Sequence, residues 1–438
     1  MGSIATALNA LPAFRVLVTG GSYAGLSAAL NLQDLCRGRA ARCGPPPAAG
    51  EGEEGSDASS NSSSSSTPDI AVDITIVDER DGFYHLIGSP LAMASEAYAE
   101  KAWVKYEDIP ALRAPNIRVV QGSVRSVDAA RKTATVAPYG GGGGDSQQTT
   151  EIAYDYLVAA AGLRRVWPVV PQSLRRKQYL FEMGDHIRAV TNTRHDVVVV
   201  GGGAVGIEMA AELKLVQPHC GVTLVHSRDK LLSAEPLPEE TKDRALELVH
   251  EAGVKVLMSH RLDKTEEVKT DDGSKCLRLT FTNGHSMLAS EVIMAISKSV
   301  PATKFLPKEA VDEEGYVKIH ASLAFLGDIP NASDHFAIGD LVRWSGIKRC
   351  GAAMHMGYHA ANNIHQLMNQ KLFGKAPVFL ELSEIPPMIG LAVGKQAVAY
   401  WPAEGTTSGD AVMKAFFGDD LGFTICWNHL QLGGDKVL

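Results

Sequence analysis

Short β-rich stretches alternate along the chain with longer helical patterns. The β-rich runs are Arg15–Thr19 (RVLVT), Ile70–Val77 (IAVDITIV), Tyr154–Gly162 (YDYLVAAAG), Asp196–Val200 and Val222–His226. Helical patterns follow several of them, at Leu26–Leu35, Ile207–Val216 and Pro238–Ala252. Strands and helices that alternate through short connections predict a parallel, doubly wound α/β architecture. Here the pattern occurs twice. Two further β-rich runs flank Asp128 between Ile117 and Val136. Met388–Val393 and Gln396–Trp401, separated by Gly394-Lys395, read as a hairpin.

Two stretches interrupt this order. Residues 37–69 hold three consecutive prolines, an acidic Gly/Glu run and the serines Ser62–Ser66, a composition that cannot bury a core and predicts a disordered insertion. The tract Gly140–Gly144 predicts a floppy loop tip. The 438 residues suggest two or three domains at roughly 150 residues each. With 42 basic and 50 acidic residues the net charge is −8, which argues against a duplex nucleic-acid partner. No apolar run reaches the ~18 residues of a transmembrane helix, and no cationic region precedes Arg15 to mark a secretory signal. The six cysteines form no C-x-x-C pair and no zinc-like cluster with histidine. We therefore expect reduced thiols in an intracellular protein, no metal site, and no vicinal dithiol to take electrons. Redox chemistry would sit on a bound cofactor.

The candidate chemistry lies in two glycine turns. Gly201-Gly202-Gly203-Ala204-Val205-Gly206 fits G-x-G-x-x-G between a strand and a helix. Gly201 makes the turn, Gly203 lets backbone approach a pyrophosphate, and Gly206 lets helix pack on strand. The phosphates then meet free N–H groups at the helix start. The earlier turn, Gly20-Gly21-Ser22-Tyr23-Ala24-Gly25, carries serine at the middle position. A ribose-binding carboxylate is expected about 20 residues further on. Asp78 lies 53 residues past Gly25, and 20 once the 33-residue insertion is removed. Twenty residues past Gly206 comes His226, then Ser227 and Arg228. The second turn thus lacks a carboxylate that would repel a 2′-phosphate and offers cations instead. NADPH is expected to be accepted at least as well as NADH.

Two such sites in one chain resemble the two-dinucleotide-binding flavoproteins of the pyridine nucleotide-disulfide oxidoreductase superfamily. Phe336-Ala337-Ile338-Gly339-Asp340 resembles their second FAD motif, and the run ending at Ala161-Gly162 resembles their Ala-Thr-Gly strand. The segments VLVTGGSYAGLSAAL, IVDERDGFYH, VVVVGGGAVGIEMAAEL and DLGFTICW are most similar to the apoptosis-inducing-factor-like branch. That branch includes the ferroptosis suppressor proteins, which are myristoylated NAD(P)H:quinone reductases. The resemblance implies FAD at Gly20, Gly21, Ser22, Tyr23, Ala24, Gly25, Asp78, Val124, Ala161, Gly162, Gly339 and Asp340. It implies NADPH or NADH at Gly201, Gly203, Gly206, His226 and Arg228. Glu208 is placed beside the nicotinamide and His85 near the flavin pocket as the catalytic candidates, with Glu212 structural. Two departures stand out: Ser297-Lys298 follows Glu291–Ile296 where a Thr-Gly turn is usual, and Lys348 and Arg349 are out of register with a family lysine.

The fold class is accordingly α/β, with two Rossmann-like domains and a small α+β C-terminal domain. The expected boundaries are 14–172 and 299–375 for the FAD domain, 173–298 for the NAD(P)H domain and 376–438 for the C-terminal domain. Phe416, Phe417, Phe423 and Trp427 are core residues there or line a quinone tunnel. The leading expectation is hydride transfer from NAD(P)H through FAD to a quinone-like acceptor. One alternative is a flavin-dependent oxidase, monooxygenase or isomerase of specialised metabolism; another is a non-enzymatic nucleotide-sensing or death-signalling flavoprotein. Met1-Gly2-Ser3-Ile4-Ala5-Thr6 fits N-myristoylation at Gly2. One acyl chain anchors only marginally, so Arg37, Arg39 and Arg42 or the C-terminal domain would supply a second contact. The protein is then cytoplasmic, or peripheral on a membrane or lipid droplet. The oligomeric state stays open.

Overall fold

The computed structural model describes residues 13–43, 69–139, 149–270, 273–296 and 299–434. The altered turn at Ser297-Lys298, Gly2 and the Gly140–Gly144 tract lie outside them.

A seven-stranded sheet forms one half of the molecule. Its spatial order is His335–Ala337, Tyr156–Ala159, Phe14–Thr19, Val72–Asp78, Ile117–Asp128, Thr133–Pro138, Thr150–Ala153. The first five are parallel neighbours; Thr133–Pro138 then pairs antiparallel with Ile117–Asp128, and Thr150–Ala153 antiparallel with Thr133–Pro138. The parallel strands read as apolar runs because both faces are covered. Val16, Leu17 and Val18, for example, are all buried. The helix Tyr23–Cys36 packs on the sheet and on the 24-residue helix Cys350–Phe373.

The second half holds a four-stranded parallel sheet, ordered Lys255–Leu257, Val222–Val225, Val197–Val200, Glu291–Met294. Helices Ala204–Val216 and Glu239–Glu251 pack against it. The chain thus contains two parallel α/β units. The second is inserted within the first, between Ala159 and the strand His335–Ala337 that returns to the larger sheet.

The hairpin is Ile389–Val393 with Gln396–Trp401, extended by a third strand, Gly405–Gly409, that hydrophobic pattern does not reveal. This small sheet packs on helices Ala204–Val216 and Glu239–Glu251. The last helix, Phe423–His429, instead joins the core of the first half through Phe423, Cys426, Leu430 and Leu432. The C-terminal segment therefore touches both nucleotide halves. Of its aromatic residues, Phe417 and Phe423 are buried, Trp427 stacks on Phe423 at 5.6 Å, and Phe416 is exposed against Trp401.

One expectation needs correction. Residues 37–43, expected in the disordered insertion, belong to the fold, and Cys43 is buried, its N–H donating to Asn31; residues 44–68 lie outside the described residues. Of the arginines offered as a second membrane contact, Arg37 and Arg39 are exposed. Arg42 and Arg39 both pair with Asp34, Arg42 with almost no exposed side chain, and Arg37 donates to Asn116.

Candidate active site

The first glycine turn follows Phe14–Thr19 at the carboxyl end of its strand, where open α/β sheets bind ligands. Gly20 has φ +105°, and a Cβ there would strike the Ala160 carbonyl. A Cβ on Gly25 would collide with the Gly20 carbonyl oxygen, so helix and turn meet at van der Waals limits. Ser22 is the N-cap of Tyr23–Cys36, yet its side chain makes no capping hydrogen bond. The helix start thus has no side-chain cap from Ser22, which leaves its first N–H groups available to an anion such as a pyrophosphate. Ala24 closes the turn's other side, lying 3.1 Å from where a Gly339 Cβ would be.

Asp78 ends its strand beside this turn. One carboxylate oxygen accepts the Gly21 N–H (2.6 Å) and the other the Arg80 N–H (2.7 Å). Burial pushes its carboxyl up, against those two hydrogen bonds. Val124 lies three residues past Gln121, the ladder partner of Asp78, and is half-buried at the same end of the sheet. Ala161 is exposed, and Gly162 has φ +66° with no protein atom within 4 Å of a placed Cβ. Gly339 has φ +77°, and Asp340 after it is met by Arg165 at 3.5 Å. The arrangement leaves open backbone, uncommitted donors and two carboxylates along one edge, which fits a dinucleotide lying across it.

Sequence reasoning missed several residues here. Tyr106 is buried, with its hydroxyl donating to the Gly21 carbonyl (2.9 Å), and it supports the turn from beneath. Arg165 was within reach, three residues past the glycine that ends the Tyr154–Gly162 run. Lys348 folds back so that its ammonium donates to the Val342 carbonyl (3.0 Å).

The second turn repeats the geometry. Gly201 has φ +127°, and a Cβ on Gly206 would collide with the Gly201 carbonyl oxygen. Gly203 has nothing within 4 Å of a placed Cβ, so the approach to the helix start is open. His226 takes the position that Asp78 holds in the first turn. Its Nδ1 accepts the Gly202 N–H (3.1 Å), so Nε2 carries the proton toward Ser233 Oγ (2.9 Å). Burial first, then the Arg228 charge, lower its pKa. This corrects the expectation of a cation at His226: the ring is neutral, and protonation would break the Gly202 contact. Arg228 is exposed, donating to the Ser233 carbonyl at 3.2 Å.

Glu208 sits half-buried on Ala204–Val216 and accepts the Ala392 N–H from the C-terminal hairpin at 3.4 Å. Burial raises its carboxyl to about 8. Glu212, one turn on and 2% exposed, is likewise raised to about 8 by burial, and its Oε1 has no hydrogen-bond partner. His85 is fully buried. Its Nε2–H donates to the Leu421 carbonyl (2.9 Å), and its Nδ1 accepts from the Tyr23 hydroxyl (3.1 Å). Burial lowers its pKa to about 4. Tyr23 thereby links the first turn to His85, and His85 links both to the C-terminal segment.

The family model for pyridine nucleotide-disulphide oxidoreductases matches residues 14–357. The chain belongs to that family. It is a pyridine nucleotide-dependent flavin oxidoreductase, with FAD and NAD(P)H as its cofactors. It is 49% identical over 433 residues to "Oxidoreductase OXR1" of Ajellomyces capsulatus, covering 99% of this chain and 90% of that protein. It is 23% identical over 369 residues to ferroptosis suppressor protein 1 of Homo sapiens, covering 83% and 84%. Among solved structures it resembles NDH2 from Plasmodium falciparum in complex with NADH, with a TM-score of 0.65, 13% identity, and coverage of 96% and 97%. No helix among the described residues is long and apolar enough to cross a membrane.

Proposed function

We propose that this oxidoreductase passes two electrons from NAD(P)H, through FAD, to a quinone-like acceptor. The observation that carries the reading is convergence on the C-terminal segment: Glu208 beside the second turn accepts the Ala392 N–H, and Tyr23–His85 beside the first turn reaches the Leu421 carbonyl. Bound FAD supplies the capacity to take a hydride equivalent from the nicotinamide and release two electrons to an acceptor. The chain's own residues do the positioning. The Gly201–Gly206 turn would hold the NAD(P)H pyrophosphate and Gly20–Gly25 that of FAD, with Asp78 on the FAD ribose and Asp340 on its ribityl chain. Glu208, with its raised pKa, would hold a proton or accept the carboxamide N–H of the nicotinamide, fixing the ring for transfer. His85, closed on both ring nitrogens, acts as a positioning residue that seats Tyr23.

The acceptor assignment draws support from the aromatic face formed by Phe423 and Trp427. It draws further support from the likeness to ferroptosis suppressor proteins and to NDH2. The expected boundaries at 172, 298 and 375 belong to this proposal. So does acylation at Gly2, which would bring the enzyme to the membranes where apolar quinones reside. To test the reading, NADPH oxidation by the purified flavoprotein would be followed with a series of quinones and with oxygen alone. Turnover several-fold faster with quinones supports it; equal or faster turnover with oxygen assigns an oxidase. Glu208→Ala is expected to retain flavin and to slow stopped-flow reduction by NADPH about 10–100-fold. An unchanged rate would remove Glu208 from the nicotinamide site.

A further inference from the structure

The long helix Cys350–Phe373 carries two histidines one turn apart, His355 and His359. Their rings lie 4.2 Å apart, centroid to centroid. His355 is exposed, while His359 is only 9% exposed. Tyr358 stands beside them, stacked on His355 at 6.3 Å and edge-on to His359 at 5.7 Å. Other histidines of this fold are tied down: both ring nitrogens of His85 and both of His335 have hydrogen-bond partners. At positions 355 and 359 no ring nitrogen has one among the described residues, and the Nδ1 of His359 is buried without a partner. Burial lowers the pKa of both rings, that of His359 to about 4 with help from the His355 charge. Both are therefore neutral at pH 7 and keep a free lone pair.

Residues four apart on a helix share a face. Two imidazoles at that spacing are the pair of zinc ligands that helical H-x-x-x-H sequences supply. We propose that His355 and His359 form a two-imidazole site for a borderline divalent cation of the zinc class, with water in the remaining positions. Zn²⁺ takes four ligands, and sites that are not purely structural keep a position open. Among the described residues no third histidine, cysteine or carboxylate joins the pair. The cation is thus held by two protein nitrogens and stays exchangeable. Imidazole nitrogen suits zinc, copper and nickel, whereas magnesium and calcium call for oxygen ligands.

The inner side of the same helical turn meets the FAD edge. Met356 Sδ accepts the Gly339 N–H at 3.2 Å, and a Cβ on Gly357 would strike the Ala24 carbonyl and the Ser27 side chain. A cation bridging His355 and His359 on the outer side stiffens the turn that seats Gly339 and Ala24. It therefore braces the flavin motif from behind, and metal binding and FAD retention should rise together. None of this depends on which acceptor the enzyme uses.

The test titrates the FAD-loaded full chain, freed of metal with a chelator, with zinc chloride in a calorimeter at neutral pH. One equivalent per chain is expected to bind, with a higher melting temperature and slower release of FAD on dilution. His355→Ala, at an exposed position, should keep its flavin and lose at least about ten-fold in zinc affinity. His359→Gln should act alike. The control is His365→Ala on the neighbouring face, where the ring is met by Asn369; it should bind zinc as the native chain does. No heat of binding, full affinity after His355→Ala, or an equal loss after His365→Ala would each overturn the proposal. Zinc that binds at the pair without moving the melting temperature or FAD release would overturn the bracing role.

Discussion

The two glycine turns are nearly superposable in construction and opposite in what lies around them. In each, the first glycine has a positive φ and the last cannot carry a Cβ beside the first one's carbonyl. In each, the residue ending the next strand accepts an N–H from the turn's second glycine, Gly21 to Asp78 and Gly202 to His226. The acceptor is a carboxylate in one and a neutral imidazole in the other. The inward polar positions on the following helices differ as well. On the first helix Ser27 donates to the Met354 carbonyl, and Asn31 serves both Ser27 and the Cys43 N–H. At the matching positions of the second helix stand Glu208 and Glu212, both raised to about 8 and poorly partnered. The backbone of the turn is built the same way twice, and the side chains around it differ.

The strongest way to break the comparison is at the glycines. Gly25→Ala and Gly206→Ala should each cost about 1–3 kcal/mol or more, from overpacking against a rigid carbonyl. Gly203→Ala should leave the melting temperature unchanged, because the space around it is open, yet weaken NAD(P)H binding. Comparable melting losses at all three would show that the turns are not built as described.

The second helix supplies the pH test. A carboxyl raised to about 8 in the fold, from an ordinary value of 4.5, favours folding while protonated. That contribution is complete below the unfolded value and is lost as pH rises through 8. Glu212→Gln should therefore gain stability over the native chain between pH 5 and 9, by about 2–4 kcal/mol, in denaturant titrations at each pH. Asn31→Ala on the first helix should lower stability by a similar amount at every pH. A flat difference for Glu212→Gln would place that carboxylate in a better-solvated setting.

Much of this architecture is legible in the amino-acid sequence, for identifiable reasons. The parallel strands announce themselves because burial on both faces demands unbroken Val/Ile/Leu runs, and the turns because only glycine fits them. Counting leads to Asp78 only approximately, because residues 37–43, removed in the count, belong to the described fold. Other features leave no local mark. Gly405–Gly409 is a strand by pairing alone, with no apolar alternation to signal it. The neutrality of His226 depends on a hydrogen bond from Gly202, which residue spacing does not disclose.

Nucleotide choice gives the two finest tests. His226→Asp would make the second turn chemically like the first, and NADPH affinity should fall about 10–100-fold while NADH is retained. Because His226 is neutral and its pKa lowered, the NADPH preference of the native enzyme should stay level between pH 8 and 7. Arg228→Ala should raise the KM for NADPH about ten-fold, less if the exposed guanidinium is well screened. Equal effects on both nucleotides would assign Arg228 to the surface alone.

The return of His335–Ala337 to the first sheet has a consequence for biosynthesis. A ribosome adding about 5–20 residues per second needs roughly 10–35 s to travel from Ala159 to that strand. In this interval the four-stranded sheet, made wholly of residues 197–294, can complete itself. The earlier-made strands cannot, and helix Tyr23–Cys36 waits uncovered for its partner Cys350–Phe373. The half translated first is the half finished last, so the nascent chain carries its apolar first helix as the surface most in need of chaperone protection.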